Sequence, residues 1–143
     1  MTYIQFVGRP MRLKRMIEHQ IEDVELKWAI CQTTTAQLGE RVQTSVTNKT
    51  EASYLKYADS KKKLNELSDE FDEARTEIRA FLYENLEPSD ADVLEWKYVE
   101  GKSLQEIAQI RSMTYQSMKN KAAKADRKAK RCYQALPNVT TRY

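Results

Sequence analysis

The chain has 143 residues, of which 31% are charged and 41% hydrophobic, with only three glycines and three prolines. This length fits one ordinary domain, or one small domain with an extended helical element, and so few turn-forming residues argue against a β-rich fold. One histidine and two distant cysteines, Cys31 and Cys132, exclude a zinc site or a disulfide framework built within one chain. The sequence therefore predicts an all-α protein.

The net charge of +3 is distributed unevenly along the chain. Between Arg111 and Tyr143 there are nine lysines and arginines but one acidic residue, Asp126, so this segment carries +8. Because the whole chain carries +3, the remainder carries −5. A basic segment on a mildly acidic body indicates a localised surface for a polyanion.

The first predicted helix starts after Pro10 and extends to about Val42. Residues 44–50 are rich in threonine and serine and lack apolar periodicity, which predicts a linker after this helix. Within the helix, apolar or small residues recur at spacings of three and four, as on one helical face, with Thr35 filling the gap between Cys31 and Leu38. These residues are Leu13, Ile17, Ile21, Val24, Trp28, Cys31, Leu38 and Val42.

The second predicted helix covers residues 51–86 and has an apolar stripe of the same kind. Lys61 interrupts this stripe with a polar side chain. Such a residue can set the register or the oligomeric state, or it can mark the end of the packed stretch. Two such helices bury their stripes most simply as an antiparallel hairpin or in a dimer, and the pattern leaves both open. Residues 1–86 are thus predicted to form a long helical hairpin or coiled coil. The second stripe consists of Tyr54, Ala58, Leu64, Leu67, Phe71, Ala74, Ile78 and Phe81.

A second region, residues 87–143, begins where Pro88 stops the long helix and Ser89, with Asp92 three residues later, indicates a helix start. Gly101 follows this short helix and suits a left-handed conformation. The apolar positions of the short helix are Val93, Leu94, Trp96 and Tyr98.

Two further helices with capping signals complete this region. Ser103 and Glu106 match a capping box, and Thr114 can cap the last helix, which is predicted from Tyr115 to about Leu136. Residues 111–113 form the turn between the two. The positions predicted to face inward are Ile107, Ala108 and Ile110 in the first helix, and Met118, Ala122, Ala125, Ala129 and then Cys132 or Tyr133 in the second.

The outer face of the last helix has the residue types that a helix in a DNA major groove needs. Glutamine and asparagine near its start can pair with adenine, and cations further along can meet phosphates. We expect contacts to bases from Tyr115, Gln116, Ser117, Lys119 and Asn120, and contacts to phosphates from Thr114, Lys121, Lys124, Arg127, Lys128 and Arg131.

The segment from Val93 to Ala108, VLEWKYVEGKSLQEIA, followed by Thr114 and Met118, resembles the region-four helix-turn-helix of bacterial sigma factors. With the long charged helices ahead of it, the chain is similar to the ArpU- and RinA-like regulators of temperate phages. That family usually has leucine where Arg111 stands and glycine where Ser112 stands. The resemblance implies an activator of late-gene transcription that binds double-stranded DNA and acts with RNA polymerase in the bacterial host cytoplasm.

Two other roles stay open at this point: a small-terminase-like protein of phage DNA packaging, and a helical adaptor that binds RNA polymerase without DNA. We expect no enzyme, no catalytic residue, no cofactor and no metal, because no phosphate-binding loop or nucleophile-base motif is present. We also expect a soluble, cytoplasmic protein, since no apolar stretch is long enough to span a membrane and residues 1–14 lack signal-peptide features. A homodimer formed through the N-terminal helices is a further possibility.

Overall fold

The computed structural model describes residues 1–38 and 44–136, and its regular structure in these ranges is entirely helical. The predicted all-α class is therefore confirmed. No helix in these ranges combines the length and the apolar character that crossing a membrane requires. The elements are α1 (Tyr3–Leu38), α2 (Thr44–Asn85), α3 (Pro88–Leu94), a π-helical turn (Glu95–Val99), α4 (Leu104–Ile110) and α5 (Tyr115–Gln134).

Helix α1 begins at Tyr3, so the prediction that it starts after Pro10 was wrong. Thr2 and Gln5 form a reciprocal cap: the Gln5 amide donates to Thr2 Oγ1 at 3.2 Å, and the Thr2 amide donates to Gln5 Oε1 at 3.0 Å. This is the capping box of a helix start. Pro10 lies buried inside the helix, where it removes one backbone donor without ending the helix.

Helix α2 begins at Thr44, so residues 44–50, predicted as a linker, are helical. Threonine and serine disfavour a helix by only a few tenths of a kcal/mol each, which the long helix that follows can overcome. Residues 39–43, including Val42 at the predicted end of the first helix, lie outside the described residues.

Similarly, the helix start predicted at Ser89 lies one residue earlier. Helix α3 starts with Pro88 in its first turn and Glu87 as the N-terminal flanking residue, without a side-chain cap. Proline suits this position because a backbone N–H in the first helical turn has no helical partner, so the N–H that proline lacks is not needed there. Gly101, after the π-helical turn, has a φ of 71°, as predicted.

The described chain divides into two compact units, to which α1 and α2 both contribute. The terminal unit comprises Met1–Arg12 and the chain from Phe71 onward, and the central unit comprises Leu13–Glu70. The sequence placed a domain boundary after residue 86, whereas the compact unit around α3, α4 and α5 also takes in the first turns of α1 and the end of α2.

In the central unit, α1 and α2 run in opposite directions, because Gln20 contacts Ser60 and Trp28 contacts Tyr57. Among the side chains that the structure describes in this unit, Gln20 and Ser60 are the buried polar ones, and Gln20 Nε2 donates to Ser60 Oγ at 2.8 Å. Ser60 Oγ donates in turn to Asp23 Oδ2 at 2.5 Å.

The stripe predicted for the first part of α2 therefore does not coincide with the face of the helix that is buried. Ser60 is buried, whereas Tyr54, Ala58 and Lys61 are exposed. Ser60 was overlooked because it is polar, although its bonds to Gln20 and Asp23 satisfy it in the interior. From Leu64 onward the predicted and observed stripes agree, with Leu67, Ala74, Ile78 and Phe81 buried.

The terminal unit has two hydrophobic clusters. The larger joins both ends of the chain: the ring of Phe6 stacks on Tyr133 at 5.0 Å between centroids and meets Phe81 edge-on at 5.5 Å. The smaller cluster lies between α3, α4 and α5 and consists of Val93, Ile107, Ala108, Met118 and Ala122, with Trp96, Leu104 and Met113 packed against it. Together the clusters fix the inner face of α5.

Candidate nucleic-acid interface

Both predicted capping residues around the α4–α5 turn occupy the expected positions. Ser103 Oγ accepts from the Glu106 amide at 3.2 Å, and Thr114 Oγ1 accepts from the Ser117 amide at 3.2 Å. Each hydroxyl thereby satisfies one of the amides that a first helical turn leaves unpaired. The two helices consequently have fixed starting points, and four residues separate them.

The turn itself is a Schellman motif. The Met113 amide donates to the Ala108 carbonyl at 2.9 Å and the Ser112 amide to the Gln109 carbonyl at 3.2 Å. This motif requires a left-handed residue just after the helix, and Ser112 adopts a φ of 55°. Met113 then packs into the smaller cluster, which completes the motif with its usual apolar contact.

A Ser112→Gly variant should be more stable than the wild type by about 0.5–1 kcal/mol, because glycine adopts positive φ without the steric cost that a Cβ imposes. Chemical denaturation monitored by circular dichroism measures the difference. Ser112→Ala is the matched control, since alanine keeps the Cβ and should gain nothing. Equal stability of the glycine and alanine variants would contradict backbone strain at this position.

The inner face of α5 matches the prediction: Met118, Ala122, Ala125, Ala129 and Tyr133 are buried. The small alanine side chains allow close approach to the neighbouring helices. In α4, Ile107 and Ala108 are buried as predicted, but Ile110 is 48% exposed, so its predicted inward position was wrong. The helix reverses into the turn directly after Ile110, which leaves that side chain at the rim.

The outer face of the first two turns of α5 is open to solvent. Each of the five residues predicted to contact bases is exposed, and the side-chain amides of Gln116 and Asn120 hydrogen-bond to each other at 3.3 Å. This bond restrains both amides on one edge of the helix and leaves further donors and acceptors free. The five residues are Tyr115, Gln116, Ser117, Lys119 and Asn120.

The rest of the outer face is strongly cationic. Lys124, Arg127, Lys128 and Arg131 are exposed, and none of them forms an ion pair with a residue that the structure describes. A shallow cavity of about 590 Å³ runs along this part of the helix. Its lining consists of Lys124, Arg127, Lys130, Arg131 and Gln134.

Two of the residues predicted to contact phosphates have partners within the protein. Lys121 Nζ lies 3.4 Å from Asp90 Oδ1 and 3.4 Å from Ser89 Oγ, so it ties α5 to α3. Thr114 uses its hydroxyl as the N-cap of α5, although it remains exposed. Along α5, the cations without an ion pair to a described residue are therefore Lys119 and then those from Lys124 onward.

Asp126, the one acidic residue of α5, is held away from the cationic face. Its carboxylate accepts from Tyr3 Oη at 2.8 Å and from Tyr98 Oη at 2.8 Å, and forms an ion pair with Lys97 Nζ at 3.2 Å. Burial, followed by the adjacent Asp126 charge, raises the pKa of Tyr3 and Tyr98 well above the usual range, so both remain hydrogen-bond donors. The outer face of α5 consequently carries positive charge alone.

Sequence reasoning did not assign this role to Asp126. The signal was present in its spacing, because Asp126 follows Ala122 by four residues and precedes Ala129 by three, which places it at the edge of the buried stripe. An isolated acid at such a position within a basic helix indicates a partner inside the protein.

Arg111, which lies next to Ser112, also has a structural role. It donates to Asp92 Oδ2 at 3.1 Å and to the Ser89 carbonyl at 3.3 Å, and its guanidinium lies 5.2 Å from the Trp96 ring centroid. Asp92 also accepts a hydrogen bond from the Tyr83 hydroxyl, and that hydroxyl lies 2.7 Å from Glu95 Oε2, to which it also donates. These contacts join the α4–α5 turn to α3 through polar groups, where leucine would supply an apolar contact.

Comparison of the chain with family models, with curated proteins and with solved structures finds no match. The site is therefore defined by its own geometry: two capped helices joined by a short turn, the second of which has one acid-free cationic face and an amide pair near its start.

Proposed function

We propose that the protein binds double-stranded DNA in a sequence-specific manner through α5 and thereby regulates transcription. In this proposal α4, the turn and α5 form a helix-turn-helix, with α5 in the major groove, and α1 and α2 form a helical hairpin. The observation that carries the proposal is the acid-free face of α5, on which two exposed amides near the start are followed by cations without an ion pair to a described residue, from Lys124 to Arg131. Such a face complements base edges followed by phosphates.

The dimensions of α5 support this division of roles. At about 1.5 Å per residue, Arg131 lies about 22 Å along the axis from Gln116, which exceeds the width of about 12 Å of a B-DNA major groove. Residues near Gln116 and Asn120 can therefore contact bases while the distal cations reach the sugar-phosphate backbone. The spacings of four, seven and four between Gln116, Asn120, Arg127 and Arg131 keep these residues on one side of the helix.

The resemblance to sigma region four and to ArpU- and RinA-like regulators supports a more specific role as an activator of phage late genes that acts with bacterial RNA polymerase. The acidic remainder of the chain offers a surface for that protein partner, since cationic α5 is reserved for DNA. The mechanism is binding without turnover. This specific role rests on analogy of motif, whereas DNA binding rests on the geometry of α5.

The direct test is the salt dependence of DNA affinity. The wild-type protein should bind duplex oligonucleotides with an affinity that falls steeply between about 50 and about 200 mM salt, because each phosphate contact releases a counterion. Lys124→Ala and Lys128→Ala should each weaken binding to all sequences alike and reduce the log–log salt slope by about one unit. Fluorescence anisotropy over a salt series measures both quantities.

Lys62→Ala is the matched control, because Lys62 is an exposed lysine of the central unit without an ion pair to a described residue. It should leave the slope unchanged. No detectable DNA affinity at low salt would reject the proposal and favour an adaptor that binds polymerase alone. Identical slopes for the wild type and both α5 variants would reject the phosphate contacts.

A further inference from the structure

The central unit leaves much of its apolar surface exposed. Its buried hydrophobic residues among the described side chains are Leu13, Cys31 and Leu67. A pair of helices can bury apolar residues only on the side of each helix that faces the other. Apolar residues on the remaining sides are usually buried by further helices that pack against the pair. The large apolar side chains that remain exposed include Met16, Ile21, Leu26, Trp28, Tyr54 and Leu55.

Several exposed apolar residues follow one edge of each helix in the pair. Ile21 and Trp28 lie two helical turns apart on one edge of α1, and the Trp28 ring lies 5.0 Å from the Tyr57 ring of α2. Tyr54 is exposed one turn before Tyr57, and Ala58 is exposed one turn after Tyr54. We call Ile21, Trp28, Tyr54 and Ala58 the pairing face.

Another side of the same helix pair is polar. A shallow cavity of about 690 Å³ lies between α1 and α2 there. Lys27 Nζ lies 2.8 Å from Asp23 Oδ2 at this side, and the lysine and the serine bonded to Asp23 lower its pKa. The residues that line this cavity are His19, Gln20, Asp23, Lys27, Lys56, Asp59, Ser60 and Lys63.

The middle of α1 is mainly acidic, and the part of α2 that contacts it contains a run of lysines. Glu18, Glu22 and Glu25 on α1 and Lys61 on α2 are exposed, and none of them forms an ion pair with a described residue. The Gln20–Ser60 hydrogen bond places this acidic segment of α1 and this basic segment of α2 at the same level along the axes of the two helices. Two copies related by a twofold axis parallel to the helices bring α1 of each copy beside α2 of the other, so that acids face lysine.

We propose that the central unit pairs with the central unit of a second copy through the pairing face, which produces a four-helix bundle. The occupant is a second copy because both the apolar surface and the flanking charges complement themselves under a twofold axis. Pairing does not depend on DNA binding. Where the proposed function also holds, the dimer carries two α5 helices and binds two half-sites.

The test measures the mass of the full chain without DNA by size exclusion with light scattering. The wild type should elute with twice the 16.8 kDa mass of one chain. Ile21→Lys combined with Tyr54→Lys should give the mass of a single chain. Leu26→Lys combined with Leu55→Lys is the matched control, since both leucines are more exposed and lie off the pairing face, and it should leave the dimer intact.

Charge reversal provides a second measurement that does not alter the apolar surface. Glu25→Lys and Lys61→Glu should each weaken the homodimer, whereas an equimolar mixture of the two variants should restore the dimer mass. A single-chain mass for the wild type, a larger ring, or failure of the mixture to associate more strongly than either variant would overturn the proposal. Because the mass is measured without DNA, failure of this proposal is distinguishable from failure of the proposed DNA binding.

Discussion

An Asp126→Ala variant is expected to lose about 2–3 kcal/mol of unfolding free energy, because it removes the shared acceptor of two tyrosines and the counter-ion of a lysine. Tyr3 and Tyr98 would each keep a buried hydroxyl with its acceptor gone, and Lys97 would keep an uncompensated charge. Urea denaturation monitored by tryptophan fluorescence measures the loss. The same variant should bind DNA with normal affinity once folded, since Asp126 lies off the outer face of α5.

Two controls separate the hydrogen-bond network from a general charge effect. Asp126→Asn keeps one carbonyl acceptor and should lose less stability than the alanine variant. Glu84→Ala removes an exposed carboxylate without an ion pair to a described residue and should change the stability by less than about 0.5 kcal/mol. If Asp126→Ala proved no more costly than Glu84→Ala, the network would have no stabilising role.

Reversing the charge of Arg127 and Arg131 together should lower the affinity for duplex DNA by about 100-fold at moderate salt. Two phosphate contacts account for most of this loss, and repulsion between glutamate and phosphate adds to it. Both arginines are exposed and have no ion pair with a described residue, so Arg127→Glu with Arg131→Glu should leave the thermal unfolding midpoint nearly unchanged. Anisotropy titration measures the affinity.

The matched control is Arg15→Glu with Lys62→Glu, which causes the same change in net charge on the central unit. Exposed charges away from the contact are screened over about 10 Å at about 0.1 M salt, so this pair should weaken binding by less than about tenfold. A loss equal to that of the α5 variant would show that DNA responds to net charge alone and would contradict a defined interface on α5.

Much of the fold followed from apolar periodicity and capping signals. Ser103, Thr114 and Gly101 have the predicted conformations or caps because each signal is local and depends on a single turn of chain. Periodicity also predicted the inner face of α5 correctly, since its stripe of small residues fits the helical repeat in one orientation of the helix only. Periodicity predicted the wrong buried face for the first part of α2. The buried residue there is Ser60, whose burial depends on a hydrogen bond from Gln20 of α1.

The sequence predicted a residue of the candidate site correctly where its role depends on exposure alone. It did not do so where the role depends on contacts with another helix. Gln116, Asn120 and Arg127 are exposed because they lie opposite the buried stripe of the same helix. Lys121 looked equivalent in sequence but pairs with Asp90, whose position depends on how α3 packs. The start of α1 was missed for a different reason, because proline usually lies at a helix start, whereas Pro10 lies inside a helix that begins at the cap formed by Thr2 and Gln5.

The aromatic cluster formed by Phe6, Phe81 and Tyr133 sets a condition on synthesis. A nascent chain cannot complete the core that contains Phe6 and Phe81 until α5 has left the ribosome, because Tyr133 of α5 is part of that core. Tyr3 and Asp126, bonded to each other, are 123 positions apart, and contacts of such long range slow folding. A fragment starting at residue 87 would consequently expose a large apolar surface on α5 and should aggregate rather than bind.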